Sequence, residues 1–391
     1  MRKSTAQTRG IESRAIWRVA GWQGFAAEWR ENIRMLVRIQ DQDQLAILLR
    51  LASSGLSNIG VLVRDPALLQ QSSLPTALEL GEPLCDGDVV ALGPGRPAYV
   101  LFRESDLHHT IFLTNRCNSL CVMCSQPPSR RDDSWLVDEA ITVATHMRRS
   151  PRRIGFTGGE PLLLRQHLRR VVNAFGERHP GIAIDVLTNG RLLADSSVAN
   201  HVLSDMKYDV NWMIPLYGHA DIVHDRIVQS PGAFDETIAG ILTLQQHAQP
   251  IQLRIVLIAP TLGILPELCA YIGRNLPFVR EVALMGCEPI GLALANRDIC
   301  ETNILEWYGQ LKEAVRILVR ARVRPVIMNL PLCALPRMLW PYAHQSISDW
   351  KQTFAPECDD CTARRDCAGL FAWYEEGWKP APINPLSEEV T

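Results

Sequence analysis

From Thr110 to Gly286 strand-like apolar runs alternate with helix-like stretches, and this alternation limits the fold more than any other feature of the 391 residues. The runs occupy 110–115, 153–157, 182–188, 209–217, 252–259 and 280–286. Amphipathic stretches at 135–149, 162–178 and 234–248 lie between them, and another at 302–320 follows. Ser134, with acidic residues just behind it, is placed as an N-cap. Repeated βα units demand a parallel sheet with right-handed crossovers. Six units are too few for the eight-stranded closed barrel, so the expected class is α/β with an incomplete, TIM-like (βα)6 barrel. Loops at the carboxyl ends of the strands then build any site.

The first of those loops carries Cys117, Cys121 and Cys124 in a C-x3-C-x2-C pattern. A [4Fe–4S] cluster takes four ligands, so three thiolates leave one iron open. An open coordination position marks chemistry, as it does at catalytic zinc. Gly158, Gly159 and Glu160 follow the second strand; paired glycines let the backbone approach a ligand closely. Thr188, Asn189 and Gly190 close the third strand. Tyr217, His219, His224 and Asp225 follow the fourth as candidates for ribose or substrate contact. Arg254 sits in an otherwise apolar strand and needs an anionic partner. Leu284, Met285 and Gly286 end the sixth strand.

Residues 329–391 are dense in Pro, Trp and Cys. Cys333, Cys358, Cys361 and Cys367 supply four thiolates, enough to close a second [4Fe–4S] cluster or a zinc site. Cys85, Cys269, Cys287 and Cys300 receive no role, although Cys287 follows the sixth strand. Residues 1–105 form a separate α+β segment. Helical apolar spacing is read from Arg14 to Leu51, with strands at 58–64 and 88–103. A docking module for a peptide is one reading of this segment.

Apolar residues make up 47% and charged residues 21%, which excludes a globally disordered chain. Lys+Arg 40 against Asp+Glu 42 gives a formal net charge of −2 and no basic footprint for nucleic acid. No apolar run reaches the roughly 18 residues of a spanning helix, and the N-terminus lacks a signal-peptide apolar core. Eleven clustered cysteines favour metal ligation over disulfides. A soluble, reduced, cytoplasmic protein is expected.

The C-x3-C-x2-C loop with Gly158–Glu160 on the next unit resembles the radical S-adenosylmethionine (SAM) superfamily. The resemblance implies a [4Fe–4S] cluster on Cys117, Cys121 and Cys124 with SAM on the open iron. It implies SAM contacts from Met123 (a position usually aromatic), Gly158, Gly159, Glu160, Asn189, Arg254 and Met285. The SAM carboxylate or a local Asp or Glu is the partner expected for Arg254. The late C-x2-C-x5-C run is similar to the twitch and SPASM extensions of peptide-modifying members. With four cysteines it implies one auxiliary cluster, zinc being the alternative. RCNSLCVMCSQPP, RIVLIAP and NLPLCALP resemble the C-type maturase of the His-Xaa-Ser system. That implies a ribosomal precursor peptide, a one-electron donor such as flavodoxin or ferredoxin, and a sister maturase. A small-molecule enzyme like the GTP cyclase of molybdopterin synthesis, or a non-catalytic partner stabilised by metal, are the alternatives.

Overall fold

The computed structural model describes residues 2–95, 98–374, 378 and 380–386. Two compact units emerge: Met1–Ile111 with Ser134–Ile154 and Val171–Ile182, and Phe112–Asp133 with Gly155–Arg170 and Ala183–Thr391.

The first unit is built on an eight-stranded mixed sheet. Its strands are β1 Arg2–Ser4, β2 Ala6–Arg9, β3 Ala15–Ala20, β4 Met35–Arg38, β5 Ile59–Val63, β6 Thr76–Glu79, β7 Val89–Leu92 and β8 Ala98–Phe102, in the order β1-β8-β7-β3-β4-β5-β6-β2. The helical reading of 14–51 is corrected here. Ala15–Ala20 and Met35–Arg38 are strands, and only Phe25–Glu28 and Gln42–Ser53 are helical. The physical reason is burial on both faces. β3 to β6 run parallel to one another in mid-sheet. Met35 and Val37 enter the core shared with Leu45 and Leu48 of the helix, whereas Leu36 enters the opposite core with Trp17 and Val19. A strand apolar on both sides shows no alternation and mimics helical spacing. The edge strands β1 and β2 are successive pieces of one segment, three and four residues long. Asp88, fully buried, holds the Arg103 guanidinium at 2.9 Å within this unit.

The second unit is built on a seven-stranded sheet: β9 Thr110–Phe112, β10 Arg153–Thr157, β11 Ala183–Leu187, β12 Val210–Pro215, β13 Ile251–Leu257, β14 Glu281–Gly286 and β15 Arg324–Met328. The strands lie side by side in sequence order, and β11 to β15 pair in parallel. The expected six strands are all present. The seventh, RPVIM, opens next to a proline and is five residues long, which hid it in the sequence. Helices form at Trp135–His146 and Gln166–Arg178, the former and most of the latter assigned to the first unit, and at Ala233–Gln246 and Tyr308–Arg320 in the second, as the amphipathic stretches require. Ser134, in contrast, has helical dihedrals and makes no side-chain capping bond. A two-stranded ribbon, β16 Gln352–Thr353 and β17 Leu370–Phe371, lies among the late cysteines. Among the described residues no helix is long and apolar enough to cross a membrane.

Candidate functional site

The loop after β9 is held from four directions, all within the second unit. At its start, the Asp133 carboxylate accepts from Thr114 Oγ1 at 3.2 Å and from the backbone and side-chain amides of Asn115. In its middle, Leu120 N–H donates to Val228 O at 3.0 Å and Val122 N–H to Ile227 O at 2.9 Å. At its end, Leu292 N–H donates to Cys124 O at 2.8 Å and Asn296 Nδ2 to Val122 O at 2.9 Å.

The fourth hold is Arg191, which lies in the turn after β11 and is 9% exposed. Its Nη1 donates to Asn118 O (2.7 Å), Ser119 Oγ (2.9 Å) and Ser230 Oγ (2.9 Å), and its Nε to Glu236 (2.7 Å). One planar donor fork thus ties the cysteine loop to the loop at Ser230 and to the helix Ala233–Gln246. The sequence carried no motif for Arg191, Asp133 or Asn296; a charged residue directly behind the strand-end turn Thr188–Gly190 is the one hint that Arg191 offered.

The two glycines of Gly158–Glu160 are required by the cysteine loop. Gly159 N–H donates to Thr114 O at 2.7 Å, and Glu160 N–H to Arg116 O at 2.8 Å. A Cβ on Gly159 would run into the Arg116 carbonyl, 2.6 Å from its carbon, and one on Gly158 would run into Thr114 O. Glu160 is fully buried, and burial pushes its carboxyl above the usual range. The carboxylate accepts from Leu162 N–H (2.8 Å), Asn189 N–H (2.7 Å) and the Thr188 hydroxyl. Asn189 in turn donates through Nδ2 to Asn118 Oδ1 at 2.6 Å. Glu160 and Asn189 therefore brace the loop ends of β9, β10 and β11.

The three thiols share one electrostatic environment. Burial raises Cys117 to about 11, with the Glu160 charge adding to it. Burial also raises Cys121 to about 12, with Cys124 and Cys117 adding to it. Cys124 is raised by burial. A bound metal must displace these protons. A cluster places each thiolate on its own iron, which three neighbouring thiols on a braced loop can supply.

Further along the same sheet edge, Arg254 Nε donates to Met285 Sδ at 3.1 Å. Burial lowers the Arg254 pKa, against the pull of Tyr217 and the Asp185 carboxylate, and no carboxylate among the described residues is in ion-pair contact with it. Tyr217 is buried, and its phenol is pushed far up by burial and by the neighbouring Cys121. Met123 belongs to one apolar cluster with Tyr217, Ile258 and Cys300. His224 and Asp225 are structural: His224 Nδ1 accepts from Tyr217 N–H at 3.2 Å, and Asp225 accepts from Gly232 N–H (2.6 Å) and Phe234 N–H (2.7 Å). Burial lowers His224 to about 4. His219 Nδ1 is buried with no hydrogen-bond partner among the described residues.

Cys333, Cys358, Cys361 and Cys367 come together. All four line one pocket, otherwise walled by residues such as Leu332, Phe354, Ile383 and Leu386. Backbone N–H groups point at the sulfurs: Leu332 and Gly369 to Cys367 Sγ (3.3 and 3.4 Å), and Leu386 to Cys361 Sγ (3.4 Å). Such bonds and an apolar wall are what tune and hold an iron–sulfur cluster. The cavity and its four sulfurs fit that group.

Residues 111–261 match the family model described as Radical SAM superfamily. A protein described as probable GTP 3',8-cyclase from Methanopyrus kandleri is 27% identical over 185 residues, which cover 46% of this chain and 56% of that protein. The chain thus spans little more than half of that relative. Among solved structures, Streptococcus suis SuiB bound to S-adenosylmethionine is similar with a TM-score of 0.46 at 12% identity, over 62% of this chain and 53% of that one. A radical SAM methyltransferase from Sphaerobacter thermophilus gives 0.42 at 16% identity, over 62% and 69%. The FeFe-hydrogenase maturase HydG from Carboxydothermus hydrogenoformans gives 0.40 at 14% identity, over 56% and 52%. The family-model match supports the radical SAM superfamily, and with it SAM and a [4Fe–4S] cluster as cofactors.

Proposed function

We propose that this chain is a radical SAM enzyme that modifies a ribosomally made peptide. The observation that carries the reading is the braced loop of Cys117, Cys121 and Cys124 at the edge of a parallel sheet, with Gly158–Glu160 locked against it. When bound, the cluster and SAM supply a 5′-deoxyadenosyl radical that abstracts hydrogen from a substrate.

The chain's own contribution is to hold and to exclude water. Cys117, Cys121 and Cys124 take the cluster, and Arg191 and Asp133 fix the loop that presents them. Gly158 and Gly159 bring backbone close enough to meet the SAM amino group. Arg254, a half-buried cation with no ion-pair partner at contact distance among the described residues, suits the SAM carboxylate. Met285, beside it, and Met123 offer soft apolar surface to the adenine. Cys333, Cys358, Cys361 and Cys367 hold an auxiliary cluster. In this reading residues 106–328 are a partial-barrel core, and 329–391 are an auxiliary-cluster extension. Its partners are a precursor peptide, a one-electron donor and a sister maturase.

The peptide substrate rests on the likeness of RCNSLCVMCSQPP, RIVLIAP and NLPLCALP to the His-Xaa-Ser maturase. A second reading, a cyclase acting on GTP, is favoured by the 27% identity to the Methanopyrus kandleri protein. Four late thiols in one cavity speak against it, because they leave no iron open for a nucleotide there. Co-expression with the short peptides encoded beside the chain, followed by mass spectrometry, separates the two. A peptide mass change that disappears in Cys117→Ala is expected. Unmodified peptide together with GTP turnover by the purified protein would overturn the peptide reading.

A further inference from the structure

The turn that carries Met123 is held by a side chain from outside the cysteine loop. Cys124 N–H donates to Cys121 O at 3.0 Å, which makes Val122 and Met123 the central residues of a turn. Such a turn leaves its central peptide group, here Val122 C=O with Met123 N–H, without a partner inside the turn. From outside, Asn296 Nδ2 donates to Val122 O at 2.9 Å. Cys300 Sγ reaches the same oxygen at 3.9 Å and is the weaker donor.

Asn296 is itself fixed. It stands between two short helices, Leu292–Ala295 and Arg297–Cys300, as the C-cap of the first and the N-cap of the second. Its Nδ2 also donates to Leu292 O at 2.9 Å, and its backbone N–H donates to that carbonyl at 3.0 Å. Both side-chain contacts are carbonyl oxygens, which only accept, so the amide nitrogen must face them. Leu292 N–H in turn holds Cys124 O at 2.8 Å. The carbonyls on either side of Met123 are therefore clamped from one segment. Gly291, at φ +68°, permits the approach, because a Cβ there would run into Cys124 O.

A peptide group is planar, and its N–H points opposite to its C=O. Holding Val122 O thus sets the direction of Met123 N–H. Met123 is 7% exposed, and among the described residues neither its N–H nor its C=O has a hydrogen-bond partner. Buried backbone groups are paired almost without exception, so this donor and acceptor are free for a ligand. We propose that Asn296 is a positioning residue for the base of SAM. It holds the Val122–Met123 peptide so that the Met123 backbone presents a fixed donor and acceptor to the edge of the adenine. The inference rests on the radical SAM reading, in which Met123 meets the adenine. Asn296 touches neither SAM nor a cysteine sulfur in this account; it acts through the Val122 carbonyl.

The test measures affinity, not turnover. Anaerobically reconstituted protein is titrated by calorimetry with SAM and with S-inosyl-L-methionine, whose base has an oxo group in place of the exocyclic amine. The wild type should bind SAM about tenfold more tightly than the analogue. Asn296→Ala should bind the two within about twofold of each other, with iron per chain unchanged. Asn296→Gln keeps the amide donor and should recover part of the preference. A full preference retained in Asn296→Ala overturns the proposal. So does loss of iron in both variants, which would make Asn296 a structural brace alone. Equal binding of the two ligands by the wild type overturns it without any variant. A wild type that binds neither ligand refutes the radical SAM reading itself, and the proposal with it.

Discussion

Replacing Arg191 with methionine should loosen the three-cysteine loop without touching a cysteine. The long apolar stem keeps its packing volume, and the guanidinium is lost. Asn118 O, held at 2.7 Å, loses a charged donor, which costs about 2 kcal/mol. The Ser119 and Ser230 hydroxyls can rotate to other partners, so about 1 kcal/mol is enough for both. Glu236 is 48% exposed and returns to water, leaving roughly 0.5 kcal/mol for that pair. The sum, about 3.5 kcal/mol, raises the open population of the loop by about 300-fold. The assay is the alkylation rate of Cys121 in metal-free protein, read peptide by peptide. Arg191→Lys should recover part of the protection, since a point charge cannot serve the same fork of acceptors. Glu236→Gln should change the rate little. A rate in Arg191→Met within about threefold of wild type refutes the bracing role.

Gly159→Ala should cost about 1–3 kcal/mol through the clash with the Arg116 carbonyl, and should lower iron bound per chain. Cys361→Ser should remove roughly half of the iron, taking two cubanes as the full complement, while SAM cleavage persists. Acid should destabilise the fold before its carboxylates titrate. His146 and His224 are buried and held down to about 4 from an ordinary 6.5. Between those values the unfolded chain binds protons that the folded chain refuses. Stability is therefore full above about pH 6.5 and falls toward pH 4, by up to about 3 kcal/mol per histidine. Urea midpoints at pH 7, 6 and 5 check this; a flat profile over that range contradicts it.

The βα alternation was legible because each of the first six strands of the seven-stranded sheet carries an apolar run bounded by turns. The first unit was less so. β3 and β4 lie between strands and between two cores, so their sequences lack the alternation that marks a strand. At the site, the cysteines and glycines were legible because their types are chemically unusual. The meaning of Glu160 was not: a buried carboxylate that holds three strand-end loops reads like any ligand-facing acid until its partners are known. His224 and Asp225 looked available for substrate, and in the structure they hold backbone N–H groups of Tyr217 and of Gly232 and Phe234. Arg191 was invisible because its four partners come from segments up to 73 residues away in the chain.

The central claim is that Cys117, Cys121 and Cys124 present an open-iron cluster to SAM. It is tested most directly by anaerobic reconstitution, reduction with dithionite, addition of SAM, and chromatography for 5′-deoxyadenosine. The account predicts product from the wild type and none from the Cys117→Ala, Cys121→Ala, Cys124→Ala triple variant. No product from the wild type, or equal product from the triple variant, would contradict it.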